Sequence, residues 1–163
     1  MKTDMKKTIL STLCFLLVSC FMFFTDAGTR IVVLGSSTAA GAGVSDSNRA
    51  WVNQYRTYLQ SIDPTNTVTN LAKGGYTTCA IMPTGTDPYD TGNHILEVDT
   101  ERNITKALSL SPNAIIINMP TNDVSNGIPV ATQMKHFATI IDLAKAAGVK
   151  VWITTSQPHN FGE

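Results

Sequence analysis

A three-layer α/β/α sandwich around a central parallel sheet is the fold class that this sequence predicts, and three observations carry it. Short apolar runs recur along the chain, each run gives way to small or polar residues, and segments of helical period separate the runs. A strand covered on both faces needs an unbroken apolar run, and parallel neighbours need a connection long enough to hold a helix. Right-handed crossovers of that length put helices on both faces of the sheet.

Residues 1–27 lie outside that alternation. Lys2, Lys6 and Lys7 precede an apolar stretch from Ile9 to Phe24, which ends in the small, polar "TDAG". Charge, apolar core and small residues stand in the order of a secretory signal peptide. As a helix rising ~1.5 Å per residue that stretch covers about 24 Å, short of the ~30 Å of a hydrocarbon core. Cleavage after Ala27 is therefore the first reading and a retained membrane anchor the second. The third is "LVSC", Leu17 to Cys20, in the pattern of a lipoprotein signal with Cys20 acylated, although "FMFF" departs from the polar tether expected after such a cysteine. Each reading places residues 28–163 outside the cytosol: secreted, periplasmic or held at the cell envelope, touching a membrane only through the N-terminal anchor.

Residues 28–163 suffice for one domain with its own core and not for two. Hydrophobic content of 43% and charged content of 15% exclude a disordered chain. The leader takes three of the 12 basic and two of the 12 acidic residues, and the lysines that remain are scattered, so nothing here attracts nucleic acid. Cys14 and Cys20 fall in the leader. Cys79 alone can form no internal disulfide and reads as a small core residue.

The elements follow in order. "RIVVLG", Arg30 to Gly35, is the first strand, buried on both faces. Trp51, Tyr55, Tyr58, Leu59 and Ile62 then recur at helical spacing until "DPTN" closes the helix. "TVTNLA" is the second strand. "PTGTDPYDTGNHILEVD" is a long polar excursion, in which Asp87 and Asp90, with the following Asp99, lack the spacing of metal ligands. "ERNITKALSL" is a helix stopped by Pro112, and "NAIIINM" is the third strand. In "VATQMKHFATIIDLAKAAG", Met134, Phe137, Ala138 and Ile141 share a helical face and Gly148 stops the helix; "VKVWITT" is the fourth strand.

Ligands of parallel sheets collect beyond the carboxyl ends of the strands. Four loops meet there: Gly35, Ser36 and Ser37; "NLAKGGYTT"; "PTNDVSNG"; and "SQPHNFGE". All four are rich in small residues and hydrogen-bonding groups, so the edge they share is the candidate site.

The order G-[DS]-S, N-x-x-x-x-G and x-x-N-D in these loops resembles the SGNH, or GDSL-like, hydrolase superfamily of secreted esterases and acyl hydrolases, a flavodoxin-like fold. The similarity runs from about Arg30 to Glu163. It puts Ser37 of "GSSTAAG" at the nucleophile, with Ser36 where the family most often has aspartate. Gly75 falls at the glycine whose backbone N–H donates to the oxyanion, and Asn122 of "PTND" at the side-chain donor, with Pro120 replacing a glycine. Such donors are what an ester carbonyl needs when a hydroxyl attacks it, because the tetrahedral oxyanion is stabilised by N–H groups already aimed at it. Plainer readings stand beside these: Ser37 as a turn or helix cap, Gly74-Gly75 as a turn, Asn122-Asp123 as a cap.

A serine hydroxyl also needs a general base, which the family supplies from a late D-x-x-H motif. No D-x-x-H occurs in the 163 residues. The resemblance implies further segments after the fourth strand, so the chain reads as one whose C-terminal part is missing. His94, in the polar excursion, and His136, beside Lys135 on a helix, read as solvated. His159 lies on the active edge, where the resemblance puts a substrate-side loop. Two function classes follow: a secreted serine ester hydrolase acting on acyl or acetyl esters of small molecules or carbohydrates, with no cofactor or metal, and a non-catalytic remnant or binding module that keeps the cleft without the base.

Overall fold

Four parallel strands form the central sheet in the computed structural model, which describes residues 28–119 and 122–155. The leader readings, Pro120 and His159 lie outside the described residues. The strands are β1 (Arg30–Gly35), β2 (Thr67–Asn70), β5 (Ala114–Asn118) and β6 (Lys150–Ile153), in the order β2-β1-β5-β6. Between β2 and β5 a short antiparallel hairpin, β3 (Tyr89–Asp90) with β4 (Ile95–Leu96), interrupts the stretch that reads as a polar excursion. Its strands are too short for any alternation to show in sequence.

β1 is the central rod. It pairs with β2 on one side, Val33 opposite Asn70, and with β5 on the other, Gly35 opposite Asn118. Since both its edges and both its faces are covered, Ile31 to Gly35 are all buried. Val32, Leu34, Ile115 and Ile117 point to one face, where helices α3 (Ile104–Ser109) and α5 (Val130–Ala146) add Ile104, Ala107, Ile140 and Ala144. Ile31, Val33 and Val68 point to the other, against Val52 and the partly buried Trp51, Tyr55 and Leu59 of α2 (Trp51–Ile62). Each fully buried aliphatic side chain contributes about 1.5–3 kcal/mol. The result is the three-layer sandwich that the alternation predicts.

Two helix faces differ from expectation. Tyr58 and Ile62 of α2 are 61% and 63% exposed, and on α5 Met134 is 60% exposed, with Ala138 also exposed. The buried stripe of α5 keeps Phe137, as expected, and continues through Ile140 and Ala144 instead of Met134 and Ala138. Apolar residues crowd most of that helix's circumference, so periodicity alone cannot choose the stripe; contact with the sheet does.

Candidate active site

β1 ends where the chain must turn within one residue. At Gly35 a Cβ would lie 2.7 Å from the Ala39 Cβ and 2.8 Å from the Asn118 carbonyl, so only glycine lets the chain pass. Ser36 follows in extended geometry, its N–H donating to the Asn118 carbonyl at 3.1 Å, and Ser37 opens the single turn α1 (Ser37–Ala40). Ser36 is fully buried and Ser37 partly exposed. Among the described residues no group hydrogen-bonds the Ser37 hydroxyl.

The chain leaves β2 through a β-turn closed by Tyr76 N–H on the Lys73 carbonyl at 3.3 Å, with Gly75 at φ +85°. A side chain there would strain the backbone even though space around it is open. Gly75 is exposed, and its N–H donates to no acceptor among the described residues. Asn70, at the start of the same loop, ties it to the serine turn: its Nδ2 donates to the Ala39 carbonyl at 2.7 Å and its Oδ1 accepts from Ala72 N–H at 3.0 Å. Tyr76 anchors the loop from below, its hydroxyl donating to Asp99. Burial and that bond push the phenol up, and the Tyr76 hydroxyl holds the Asp99 carboxyl below its usual range.

Asn122 begins the single turn α4 (Asn122–Ser125) beyond β5. Its Nδ2 donates to Ser36 Oγ at 2.6 Å and to the Tyr76 carbonyl at 2.8 Å. Ser37, Gly75 and Asn122 therefore stand at the carboxyl ends of three adjacent strands, and the Asn122 amide bonds the neighbour of each of the other two. An amide nitrogen has two protons, and both are engaged here.

The next residue was not singled out by its sequence. Asp123 is 2% exposed, and its carboxylate accepts the Thr78 N–H at 3.0 and 3.1 Å and the Thr78 hydroxyl at 2.5 Å. Thr78 Oγ1 also lies 2.8 Å from His136 Nδ1. His136 thus departs from the solvated role expected of it: it is half-buried, bonded to Thr78, and its ring meets Tyr89 edge-on at 6.2 Å. Burial pushes Asp123 up, against the Thr78 bonds and the His136 charge, and burial pushes His136 down, against the charge of Asp123. His94 is exposed on the hairpin. Cys79 is buried as a core residue, and burial pushes its thiol up. No cluster of three or more metal-ligating side chains occurs among the described residues, and no described helix is long and apolar enough to cross a membrane.

Known structures share this architecture. The chain is similar to TesA (21% identity, TM-score 0.58), covering 77% of this chain and 59% of that one. It is similar to AlinE4, described as an SGNH-hydrolase family esterase (18%, TM-score 0.58, 80% and 61%). It is also similar to CEX, a two-domain esterase active on acetylated mannans (18%, TM-score 0.54, 77% and 30%). The chain spans about three fifths of the length of the first two. No curated protein sequence matches it. A profile of the GDSL-like Lipase/Acylhydrolase family matches residues 33–162, four fifths of the sequence and all three loops of the site, and the chain belongs to that family.

Proposed function

We propose that this chain carries the acyl-transfer site of a serine ester hydrolase working outside the cytosol. Ser37 Oγ attacks the ester carbonyl carbon, its proton passes to a base, and the carbonyl π electrons move onto oxygen. The oxyanion is met by the N–H groups of Ser37 and Gly75 and by the Asn122 amide. Collapse expels the alcohol with a proton and leaves an acyl-enzyme for water to hydrolyse. The observation that carries this reading is the Asn122 amide, bonded at once to Ser36 and to the Tyr76 carbonyl, because it gathers the three donor-bearing loops. Since both amide protons are engaged, one of these two bonds yields when an oxyanion arrives. Ser36 is the holding partner and Ser37 the attacking one.

Acyl and acetyl esters are the substrate class, and the activity of CEX on acetylated mannans supports esters borne by carbohydrate. The second reading, a cleft that binds without turnover, is favoured by one observation: His94 is exposed on its hairpin and His136 is engaged by Thr78, so among the described residues no histidine bonds Ser37.

The test is covalent labelling of the folded chain by a fluorophosphonate, with added imidazole standing in for the base. Imidazole-dependent labelling located at Ser37, abolished in Ser37→Ala and largely kept in Ser36→Ala, is the expected outcome. Equal labelling of Ser37→Ala removes Ser37 from the chemistry.

A further inference from the structure

We propose that Asp123 and Thr78 are positioning residues for the donors at Gly75 and Asn122, and that His136 orients Thr78 from the far side; the proposal rests on the oxyanion reading above. Asp123 directly follows Asn122, and Thr78 stands three residues after Gly75. Their contact joins the two donor-bearing segments a second time, beneath the bond from the Asn122 amide to Tyr76.

The segments need such a tie. α4 is one turn long, and a single turn does not hold itself in water. It is fixed by outward bonds: Asn122 Nδ2 to Ser36 and Tyr76, the Asp123 carboxylate to Thr78, and the Ile128 N–H to the Asp123 carbonyl at 2.9 Å. Of these, the Asp123 to Thr78 contact is fully buried and involves a charge, with three donor–acceptor pairs between two residues. The Gly75 turn is anchored in the same way, through buried Tyr76 next to it and buried Thr78 two residues further on.

Proton accounting gives His136 its part. Thr78 has one hydroxyl proton, and the carboxylate of Asp123 takes it. His136 then presents Nδ1–H to the Thr78 oxygen, which leaves Nε2 as its titrating nitrogen. A carboxylate, a hydroxyl and an imidazole in a row invite comparison with a nucleophile and its base, but Thr78 is 1% exposed and no substrate atom can reach it. The row orients; it does not attack.

Two measurements test this. The first is the amide NMR spectrum of the chain, which needs no turnover: in Thr78→Val the Gly75 backbone amide and the Asn122 side-chain amide shift together, and in Thr78→Ser, which keeps both hydrogen bonds, they return to their parental positions. The second is the imidazole-supported labelling rate of Ser37, measured well below the melting temperature. It falls about 10- to 100-fold in Thr78→Val, as small misplacements of reacting groups do, and stays within about twofold in Thr78→Ser. A bond that merely stabilised the fold would lower the melting temperature and leave that rate alone. Should Thr78→Val not fold, Asp123→Asn, which keeps shape and one acceptor, gives the same two readings. Unmoved amides overturn the proposal, as does a labelling rate unchanged while the amides move. If the parent itself does not label, the nucleophile reading fails, and the two amide signals decide the positioning on their own.

Discussion

The carboxyl ends of β1, β2 and β5 and the outer edge of β6 belong to one sheet, yet they solve opposite problems. At the strand ends Ser36, Asn70, Asn122 and Asp123 hold one another's loops through bonds of 2.5–3.1 Å, while the Ser37 hydroxyl, the Gly75 N–H and the buried Asn118 Oδ1 have no partner among the described residues. At the β6 edge Trp152 is 50% and Ile153 41% exposed, and one side of that strand has no neighbour among the described residues. Trp152 shares an apolar groove of about 350 Å³ with Trp51, Tyr55 and Ile116. A sheet is thus most ordered where loops from distant parts of the chain converge. It is least finished where one more element of structure could pack.

The largest effect that could break this contrast belongs to the sheet's centre. Ile117 is fully exposed to packing and not to solvent, at 0% accessibility between β1 and β6. Ile117→Ala costs about 2–5 kcal/mol of stability by denaturant titration. A loss as small as that of a surface substitution would mean that the core does not close around β5.

Next in size is Asn122→Ala, which removes one of the oxyanion donors proposed above and the bridge to Ser36 together. It lowers the imidazole-supported labelling rate of Ser37 by about 10²–10³. The split between saturable binding and the maximal rate sharpens the result: a loss confined to binding reassigns Asn122 to substrate recognition.

Sequence alone made the strands of both regions legible, "VKVWITT" at the sheet edge included. The runs "RIVVLG" and "NAIIINM" show β1 and β5 because a strand covered on both faces has no choice but to be apolar throughout, and the loops after them mark the candidate site because parallel strands end together. What sequence did not show is the contact of Asp123 with Thr78, 45 residues apart, and of Thr78 with His136, 58 apart. No period or local motif encodes a side-chain bond across such separations. The one available signal is weak: two β-branched threonines, Thr77 and Thr78, in a glycine-rich loop, and an aspartate beside the donor asparagine. α5 failed differently. Ile141 and Met134 are apolar, as the core stripe would be, but Met134 is exposed and Ile141 lines a groove beside β6 with Val149 and Val151.

A smaller effect tests the edge itself. Trp152→Ser costs about 1–2 kcal/mol of stability, less than a core truncation because half of the side chain is already in water. It should nonetheless reduce the binding of a hydrophobic dye by residues 28–163, and any self-association seen by sedimentation. Unchanged dye binding would place the sticky surface elsewhere, with exposed Met134 on α5 the next candidate.

The smallest effect separates the two regions by pH. Burial holds His136 below the ordinary imidazole value of ~6.5, so the unfolded chain takes up that proton first as pH falls. Wherever the unfolded state binds more protons, stability rises with pH; the contribution of His136 is therefore present above ~6.5 and is lost below it. Asp123 acts in another window and with the opposite sign. Burial raises its carboxyl above the usual range, so the folded chain binds the extra proton, and stability from that group falls as pH rises through the interval above ~3.9. Melting measured between pH 7.5 and 6 thus reads mainly His136. The parental melting temperature should drop across that interval by a degree or two more than that of His136→Gln, about what a few tenths of a kcal/mol produce in a domain of this size. Equal slopes would mean that His136 titrates as it does in the unfolded chain. The packing that buries the ring against Thr78 would then be too loose to orient anything at the strand ends, and the contrast with the β6 edge would rest on Asp123 alone.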